Sequence, residues 1–255
     1  MDADYAKELK KIRWDIVRMV HLAKEGHIPS AFSVVEILYA VYKNKDKEDA
    51  FFLSKGHASA ALYAILALFG LIKEEELDTF CSYDSFLGGH PHRKEGCIMN
   101  SSGSLGHGFP AAAGYALSKR IKKEGGRVFC VVGDGECNEG SVWETAMYGE
   151  QLGLGNLVCI VDDNNSQVRA MVSTNIAGKF RAFGWDVREA GGHDVAGLEK
   201  AIFGPREGGS KRPLCVVAKT VKGMGIKAME DDFYAWHHRA PTEAELAKFK
   251  AEIFR

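Results

Sequence analysis

Short apolar runs alternate with helical segments along most of this chain. The runs at 50–53, 128–132, 157–161 and 214–218 contain no charged residue, which is typical of parallel strands that are buried on both faces. We expect a further strand at 185–188. The alternation of strands with helices predicts an α/β fold of three layers, in which helices cover both faces of a mostly parallel sheet.

The helices are predicted from the spacing of apolar residues and from capping residues. Residues 4–24 place apolar side chains at helical spacing among lysines and arginines, and residues 26–30 are expected to break this first helix. Ser33 is expected to cap a second helix that runs to about residue 42. Further helices are predicted over 58–69, over 74–81, from 111, near 139–152, near 175–183 and from 194.

Two helix ends carry specific signals. Gly70 suits the left-handed position that follows a helix, and Thr242 with Glu245 forms a capping box for a terminal helix. The irregular stretch at 84–108 is long enough to be typical of a functional or mobile loop. No internal repeat, low-complexity tract or linker divides the chain, so a single domain over residues 1–255 is predicted.

The composition excludes several classes of partner. The chain has 33 basic and 34 acidic residues, so its net charge predicts no attraction to nucleic acid or to a membrane. No apolar run approaches the roughly 20 residues that span a bilayer, and residues 1–7 lack the apolar segment of a signal peptide. The cysteines form no Cys-x-x-Cys pair, which favours reduced thiols and a cytoplasmic location. They are Cys81, Cys97, Cys130, Cys137, Cys159 and Cys215.

Polar residues follow two of the predicted strands. Gly133-Asp134-Gly135 comes directly after one strand, and Asn164 follows the next strand along the chain. Because ligands of open parallel sheets collect at the carboxyl ends of the strands, these side chains suit a divalent cation that holds a diphosphate. A backbone carbonyl near Ser166 would add one more oxygen ligand. The alternative is that Asp134 caps the following segment and Asn164 stabilises a turn.

Several histidines lie in polar or glycine-rich breaks at the ends of predicted elements, where active-site residues are often found. An imidazole with a pKa of about 6.5 both donates and accepts protons at neutral pH. A single loop histidine is more often simply solvated. The histidines at such breaks are His27, His57, His90, His107 and His237, whereas solvated positions are expected for His21, His92, His193 and His238.

The local sequences resemble those of transketolase-like enzymes. Asp134 with Glu139-Gly140, Trp143-Glu144 and Asn164-Asn165 resembles their thiamine diphosphate motif. This resemblance implies a thiamine-diphosphate-binding fold of the diphosphate-binding type. It also implies that Asp134, Asn164 and the backbone carbonyl of Ser166 bind Mg²⁺, or Ca²⁺ or Mn²⁺ in its place, and that Gly133 and Gly135 belong to the cofactor site.

The segments around four histidines also resemble motifs of this family. They are Gly26-His27, Ser54-Lys55-Gly56-His57, Gly89-His90-Pro91 and Trp236-His237. The resemblance implies that the four imidazoles line the channel above the thiazolium ring of the cofactor. There they would contact the cofactor and the hydroxyls of the donor sugar, and they would assist proton transfer. His57 is therefore both a catalytic and a cofactor-binding candidate.

Two further motifs complete the resemblance. The segment with Gly103, Ser104, Leu105 and Gly106 resembles a family loop that contacts the pyrimidine and diphosphate parts of the cofactor; His107 stands where glutamine is commoner. Glu139 and Glu144 match family glutamates of a proton network between paired cofactor sites, which makes Glu139 a cofactor-binding candidate and Glu144 a catalytic one. The alternative is that both are ordinary carboxylates on a helix surface.

The resemblance covers nearly the whole chain, yet a complete transketolase carries two further domains. The next domain supplies the pyrimidine pocket, and this chain ends at Arg255. We therefore expect a diphosphate-binding subunit that works with a separate pyrimidine-binding subunit in an α2β2 assembly. The implied reaction moves a two-carbon ketol unit from a ketose donor to an aldose acceptor.

Other functions remain open. The chain could be the α subunit of a thiamine enzyme that uses pyruvate or another keto acid, or a non-catalytic assembly subunit. The residues after His27 depart from the family pattern, and 167–170 lacks the glycine often found there. The substrate could therefore be a sugar phosphate or a modified or nucleotide-linked sugar.

Overall fold

Five parallel strands form one sheet at the centre of the molecule. The structure, a computed structural model, describes residues 3–167, 175–206, 208 and 210–255. The strand order across the sheet is β1-β2-β3-β5-β4, and every neighbouring pair is parallel. The strands are β1 (Ala50–Leu53), β2 (Val128–Gly133), β3 (Leu157–Asp163), β4 (Asp186–Gly191) and β5 (Leu214–Lys219).

Helices cover both faces of this sheet. Short 3-10 helices lie at Gly56–Ala58, Glu74–Thr79 and Gly135–Asn138. The helices are α1 (Ala3–Ala23), α2 (Ile28–Phe32), α3 (Val35–Asn44), α4 (Ser59–Leu68), α5 (Gly108–Ile121), α6 (Gly140–Gln151), α7 (Ile176–Ala182), α8 (Val195–Phe203), α9 (Lys227–Asp231) and α10 (Glu243–Ile253). In the part of the chain covered by the structure, none of them is long and apolar enough to cross a bilayer.

The strands separate two apolar cores because their side chains alternate between the two faces of the sheet. Phe129 and Val131 of β2 face the core formed with α1, α3, α4 and α8. Val128, Cys130 and Val132 face the core formed with α5, α6 and α7. This arrangement confirms the predicted three-layer α/β fold.

One local prediction is wrong, and three elements have bounds that differ from the prediction. The predicted break after α1 is present, since α1 ends at Ala23, but it is short because α2 begins at Ile28 with Pro29 in its first turn. Ser33 does not cap α3, whose N-cap is Val34; its buried hydroxyl donates to Asp162. The short helix predicted over 74–81 is a 3-10 helix that ends at Thr79. The strand predicted at 185–188 is present as β4 but begins at Asp186, because the Trp185 N–H still donates to the Phe180 carbonyl at the end of α7.

Two predicted helix ends are confirmed. Gly70 has a φ of 68°, the left-handed conformation expected after α4. Thr242 and Glu245 form the capping box at the start of α10, where the Thr242 N–H donates to the Glu245 carboxylate over 2.9 Å.

The long segment at 84–108 closes over the carboxyl end of β1. The Asn100 amide exchanges two hydrogen bonds with the backbone of Leu53: the Leu53 N–H donates to Asn100 Oδ1 over 3.1 Å, and Asn100 Nδ2 donates to the Leu53 carbonyl over 3.2 Å. This pairing fixes the loop at the edge of the sheet where β1, β2, β3 and β5 end.

Candidate active site

A cavity of about 450 Å³ lies at the carboxyl edge of the sheet. Each of the strands β1, β2, β3 and β5 is followed by residues that line it, as expected for a ligand site in a parallel sheet. The remaining lining residues come from other loops. The lining residues are His27, Lys55, His57, His90, Leu105, Gly133, Asp134, Gly135, Glu136, Ser166, Lys222, Tyr234 and His237.

Asp134 and Asn164 meet at the backbone of Ser166. The Ser166 N–H lies 3.0 Å from Asp134 Oδ2 and 3.0 Å from Asn164 Oδ1, so two acceptors converge on one donor. Ser166 Oγ and the Gly135 N–H also donate to Asp134, over 3.0 and 2.8 Å. The three residues predicted to bind a metal therefore lie together, but the contacts are made by the Ser166 N–H and hydroxyl, whereas the Ser166 carbonyl predicted as a ligand accepts from the Tyr234 hydroxyl at 3.5 Å. The Gly135 contact also makes Asp134 the N-cap of the 3-10 helix Gly135–Asn138. The alternative prediction, that Asp134 caps the segment that follows it, therefore also agrees with the structure.

Asp134 is buried at the base of the cavity. Burial raises the pKa of its carboxyl, as does the negative charge of Asp162 nearby, and Lys55 acts in the opposite direction. A carboxylate in this position is poorly solvated, so a bound cation would stabilise its charge.

A buried hydrogen-bond network lies beneath Asn164 with Asp162 at its centre. The Asp162 carboxylate accepts hydrogen bonds from Ser33 Oγ over 2.6 Å, from Lys55 Nζ, from Thr220 Oγ1 and from Asn164 Nδ2 over 3.1 Å. Burial by itself would raise the pKa of Asp162, but the charge of Lys55 and these hydrogen bonds hold it below its usual range. Asp162 is thus a buried anion whose charge is fully compensated.

Glu136 connects three loops at the same edge. Its carboxylate accepts from Ser54 Oγ over 2.7 Å, from the Gly106 N–H over 2.8 Å and from the Gly133 N–H over 2.9 Å. Burial raises the pKa of Glu136 despite these bonds. Sequence reasoning did not single out this residue, and its position two residues after Asp134 was the available signal.

Four predicted imidazoles cluster in one wall of the same cavity. The His27 ring centroid lies 5.2 Å from that of His237, 5.7 Å from that of His57 and 6.0 Å from that of His90. The four residues belong to separate segments, after α1, after β1, in the long loop and after α9. The structure therefore assembles all four histidines that the family motifs indicated.

These imidazoles are neutral at physiological pH. Burial, reinforced by the neighbouring histidines and by Lys222, lowers the pKa of His27 to about 3. Burial also lowers the pKa of His57, His90 and His237. His27 Nδ1 is buried and has no hydrogen-bond partner among the residues that the structure describes. A neutral imidazole wall is suited to hydroxyl groups, which both donate and accept hydrogen bonds.

The expectation that four other histidines are solvated is only partly right. His92 is exposed, as predicted. His238 lies 4.5 Å from His27 between ring centroids, with about half of its side chain exposed, so it extends the imidazole wall. His21 Nδ1 bonds to the Pro241 carbonyl and His193 Nδ1 to Glu36, so both are structural. The remaining loop candidate, His107, is exposed and does not line the cavity.

Lys222 was missed by sequence reasoning. Its Nζ lies 3.1 Å from His237 Nδ1. Burial and the charge of Lys55 lower its pKa to about 8, so it remains mostly protonated at neutral pH. Because an ammonium group only donates, His237 Nδ1 is the acceptor and its Nε2 carries the hydrogen. The position of Lys222 just after β5, at the carboxyl edge of the sheet, was the feature of the sequence that could have indicated a role in the site.

The loop before α5 covers one side of the cavity. The Leu105 side chain lines it and is 40% exposed. Gly106 has a φ of 75°, and a Cβ there would lie 2.5 Å from Ser141 Oγ, so only glycine fits. Gly103 and Ser104 are exposed on the same loop.

Glu139 and Glu144 lie outside the cavity. Both are exposed, Glu139 as the N-cap of α6 and Glu144 on that helix. Glu144 lines a separate groove between α5 and α6. The segment 167–170 differs from the family pattern because it lacks a glycine. Within it, Gln167 accepts a hydrogen bond from Asn138 over 2.6 Å, and residues 168–170 lie outside the described residues.

The cavity fits a metal only together with an anionic ligand. Among the residues that the structure describes, no group of three or more histidines, cysteines, aspartates or glutamates could hold a metal ion. Asp134 and Asn164 supply two side-chain oxygens, which suits Mg²⁺ when phosphate oxygens and water complete its shell.

Comparison with known proteins identifies the family. Residues 5–253 match the family described as the thiamine diphosphate binding domain of transketolase. This chain belongs to that transketolase family. The match confirms the resemblance drawn from the sequence motifs, and with it the class of cofactor for which this fold is built.

Individual relatives differ in how much of their length is matched. A subunit of apulose-4-phosphate transketolase from Phocaeicola vulgatus is 34% identical over 96% of this chain and 92% of that protein. Human transketolase is 37% identical over 96% of this chain, which spans 41% of that protein. The crystal structure of transketolase from Campylobacter jejuni superposes with a TM-score of 0.88 at 25% identity, over all of this chain and 43% of that chain.

Proposed function

We propose that this chain is the diphosphate-binding subunit of a split transketolase, which transfers a two-carbon ketol unit from a ketose donor to an aldose acceptor. The observation that carries the proposal is the composition of the cavity. Asp134 lines the cavity and meets the buried Asn164 at the Ser166 N–H, four neutral imidazoles line it as well, and the Lys222 cation lies beside one of them, His237. Family membership supports thiamine diphosphate as the cofactor.

The charged end of the cavity would hold the diphosphate of the cofactor. Asp134, Asn164 and the Ser166 carbonyl would bind Mg²⁺, and Lys222 would attract the phosphate oxygens directly. The buried position of Asp134 supports this role, because its carboxylate needs a counter-charge. Leu105 and the exposed loop around Gly103 would contact the organic part of the cofactor.

The imidazole end would bind the sugar. When bound, thiamine diphosphate supplies the electron sink for carbon–carbon bond cleavage. His27, His57 and His90 would hold the sugar hydroxyls and move protons between them. His237, which accepts from Lys222 at Nδ1, would donate through Nε2 to a substrate oxygen.

A separate pyrimidine-binding subunit would complete the site. The Phocaeicola vulgatus relative, which this chain matches over 92% of its length, is itself named as one subunit of a transketolase, and this supports a divided enzyme. The outer surface of α5 and α6 exposes apolar side chains that a partner could cover, among them Ile121, 71% exposed, and Tyr148, 55% exposed. We propose an α2β2 assembly in which Glu139 and Glu144 approach the interface between subunits.

The proposed substrates are sugar phosphates. The name of the Phocaeicola vulgatus relative makes apulose 4-phosphate the first donor to examine, with a modified or nucleotide-linked sugar as the alternative. The six cysteines are free thiols, which supports a reducing, cytoplasmic setting.

The deciding experiment uses the chain co-expressed with a pyrimidine-binding transketolase subunit. We expect calorimetry to detect thiamine diphosphate with Mg²⁺, and we expect ketol transfer from apulose 4-phosphate or an unbranched ketose phosphate. Product from pyruvate alone would indicate a keto-acid enzyme, and no cofactor binding would indicate an assembly subunit. Ketol transfer by the isolated chain would contradict the two-subunit arrangement.

A further inference from the structure

Asp162 lies directly beneath the proposed cation site without lining the cavity. We propose that Asp162 is a positioning residue that fixes the amide of Asn164, so that the Asn164 carbonyl oxygen and not its NH₂ group faces the cation. This inference rests on the proposed function, because it concerns the metal that accompanies the cofactor. Nothing in the motifs assigns a role to Asp162.

The two ends of an asparagine amide have nearly the same shape, so a rotation of about 180° exchanges a donor for an acceptor. Here the hydrogen-bond partners decide between the two orientations. Asn164 Nδ2 lies 3.1 Å from Asp162 Oδ2, and Asn164 Oδ1 lies 3.0 Å from the Ser166 N–H. A carboxylate only accepts and a backbone N–H only donates. In the reversed orientation both hydrogen bonds would be lost, because the Asn164 NH₂ would face the Ser166 N–H and the Asn164 oxygen would face the Asp162 carboxylate.

Asp162 is itself held too firmly to turn away. It is fully buried and receives hydrogen bonds from Ser33, Lys55 and Thr220, which follow α2, β1 and β5. Lys55 is also buried, so neither charge of this pair can reach water. Breaking such a pair leaves an uncompensated buried charge, and the carboxylate therefore acts as a fixed acceptor under Asn164.

The same geometry explains why an amide rather than a carboxylate is needed at position 164. Carboxylates are in general good Mg²⁺ ligands. An aspartate at 164, however, would have no hydrogen to donate to Asp162 Oδ2 and would add a second negative charge 3.1 Å from it. We therefore expect Asn164→Asp to weaken cation binding, although a carboxylate considered by itself is a good Mg²⁺ ligand.

The test measures Mn²⁺ affinity by electron paramagnetic resonance in the assembled two-subunit complex with thiamine diphosphate. Asn164→Asp should weaken Mn²⁺ binding about 10-fold or more, in the range found for residues that orient metal ligands.

Asn165→Asp is the matched control, because it adds the same charge at the neighbouring, exposed residue. It should change Mn²⁺ affinity less than about 2-fold. Thermal unfolding of each chain without cofactor provides a second readout: Asn164→Asp should lower the melting temperature, whereas Asn165→Asp should leave it nearly unchanged. These unfolding data report on the contact between residues 162 and 164 even where metal binding is lost.

The outcomes separate this inference from the proposed function. Mn²⁺ binding by Asn164→Asp as tight as by wild type would overturn the positioning role alone. Equal weakening of Mn²⁺ binding by Asn164→Asp and Asn165→Asp would do the same. Failure of the wild-type complex to bind either Mn²⁺ or thiamine diphosphate would overturn the proposed function and this inference together.

Discussion

The two ends of the cavity are built from different chemistry. At the charged end, Asp134 accepts from Ser166 and Gly135, and Asp162 accepts from four donors. At the imidazole end, the rings pack against one another and His237 accepts one hydrogen bond from Lys222, whereas His27 Nδ1 is buried with no hydrogen-bond partner in the part of the chain that the structure describes. One end is thus preorganised by hydrogen bonds, whereas the other is left with polar atoms for a ligand to satisfy.

This difference indicates how the two ends divide their work. Buried charges need partners that stay in place, so the charged end is rigid before any ligand arrives. Neutral imidazoles can be buried at lower cost and can form hydrogen bonds with successive substrates. We expect substitutions at the charged end to affect cofactor binding and substitutions at the imidazole end to affect turnover.

The largest effect is expected at Asp134. Asp134→Ala removes the carboxylate on which Ser166 and the proposed cation converge, so thiamine diphosphate with Mg²⁺ should bind at least about 100-fold more weakly to the assembled complex. Calorimetry measures this. Glu150→Ala, on the exposed surface of α6, is the control and should have little effect. Unchanged binding by Asp134→Ala would remove the cofactor site from this end.

A substitution at the opposite end should separate turnover from binding. His237→Gln removes a proposed proton donor, and kcat for ketol transfer should fall about 100-fold, as is typical for the loss of a general acid or base. Calorimetric affinity for the cofactor should change little. His92→Gln, at an exposed imidazole, should leave kcat unchanged. Loss of cofactor affinity without loss of kcat in His237→Gln would contradict the division between the ends.

Lys222 lies where the two ends meet. Lys222→Met should weaken thiamine diphosphate binding about 10-fold at pH 7, because a buried cation beside the diphosphate is lost, and Lys222→Arg should retain most of the affinity. The wild-type affinity should fall as pH rises above about 8, since the ammonium loses its proton there. Neither variant should show this fall, because methionine has no charge and arginine keeps its charge. A persistent fall in Lys222→Met would assign the titration to another group.

The smallest effect near neutral pH is expected on stability. The unfolded chain binds a proton at His27 near pH 6.5, whereas the folded chain binds it only near pH 3. The free energy of unfolding should therefore decrease as pH falls between these values. His27→Gln should show a weaker decrease in urea denaturation at a series of pH values. An identical pH dependence would mean that His27 is not buried in its neutral form.

Local sequence patterns were sufficient to predict many of the strands and helices of this molecule. The apolar runs predicted the strands, and the capping box at Thr242 predicted the start of α10. Asp134 and Asn164 could be placed together because parallel strands carry their following residues to one edge of the sheet. The glycine-histidine segments indicated the imidazole wall only through their resemblance to a family.

Other parts of the site depend on pairings that no local pattern contains. Lys55 and Asp162 are 107 residues apart, and Ser33 reaches the same carboxylate across 129 residues. Their contact requires the strand order β1-β2-β3-β5-β4, which apolar periodicity does not specify. His238 looked solvated for the same reason, since only the folding of the segment after α9 brings it against His27.

The sequence by itself determined the α/β class, the edge of the sheet at which the cavity lies and the residues proposed to anchor a diphosphate. These follow from burial and backbone geometry within about 10 residues of each position. Only the tertiary structure decided which charges compensate one another, which way the Asn164 amide faces and how the imidazoles are grouped. Those features depend on hydrogen bonds and desolvation between segments that are distant in the chain, and these act only once the strands have taken their order.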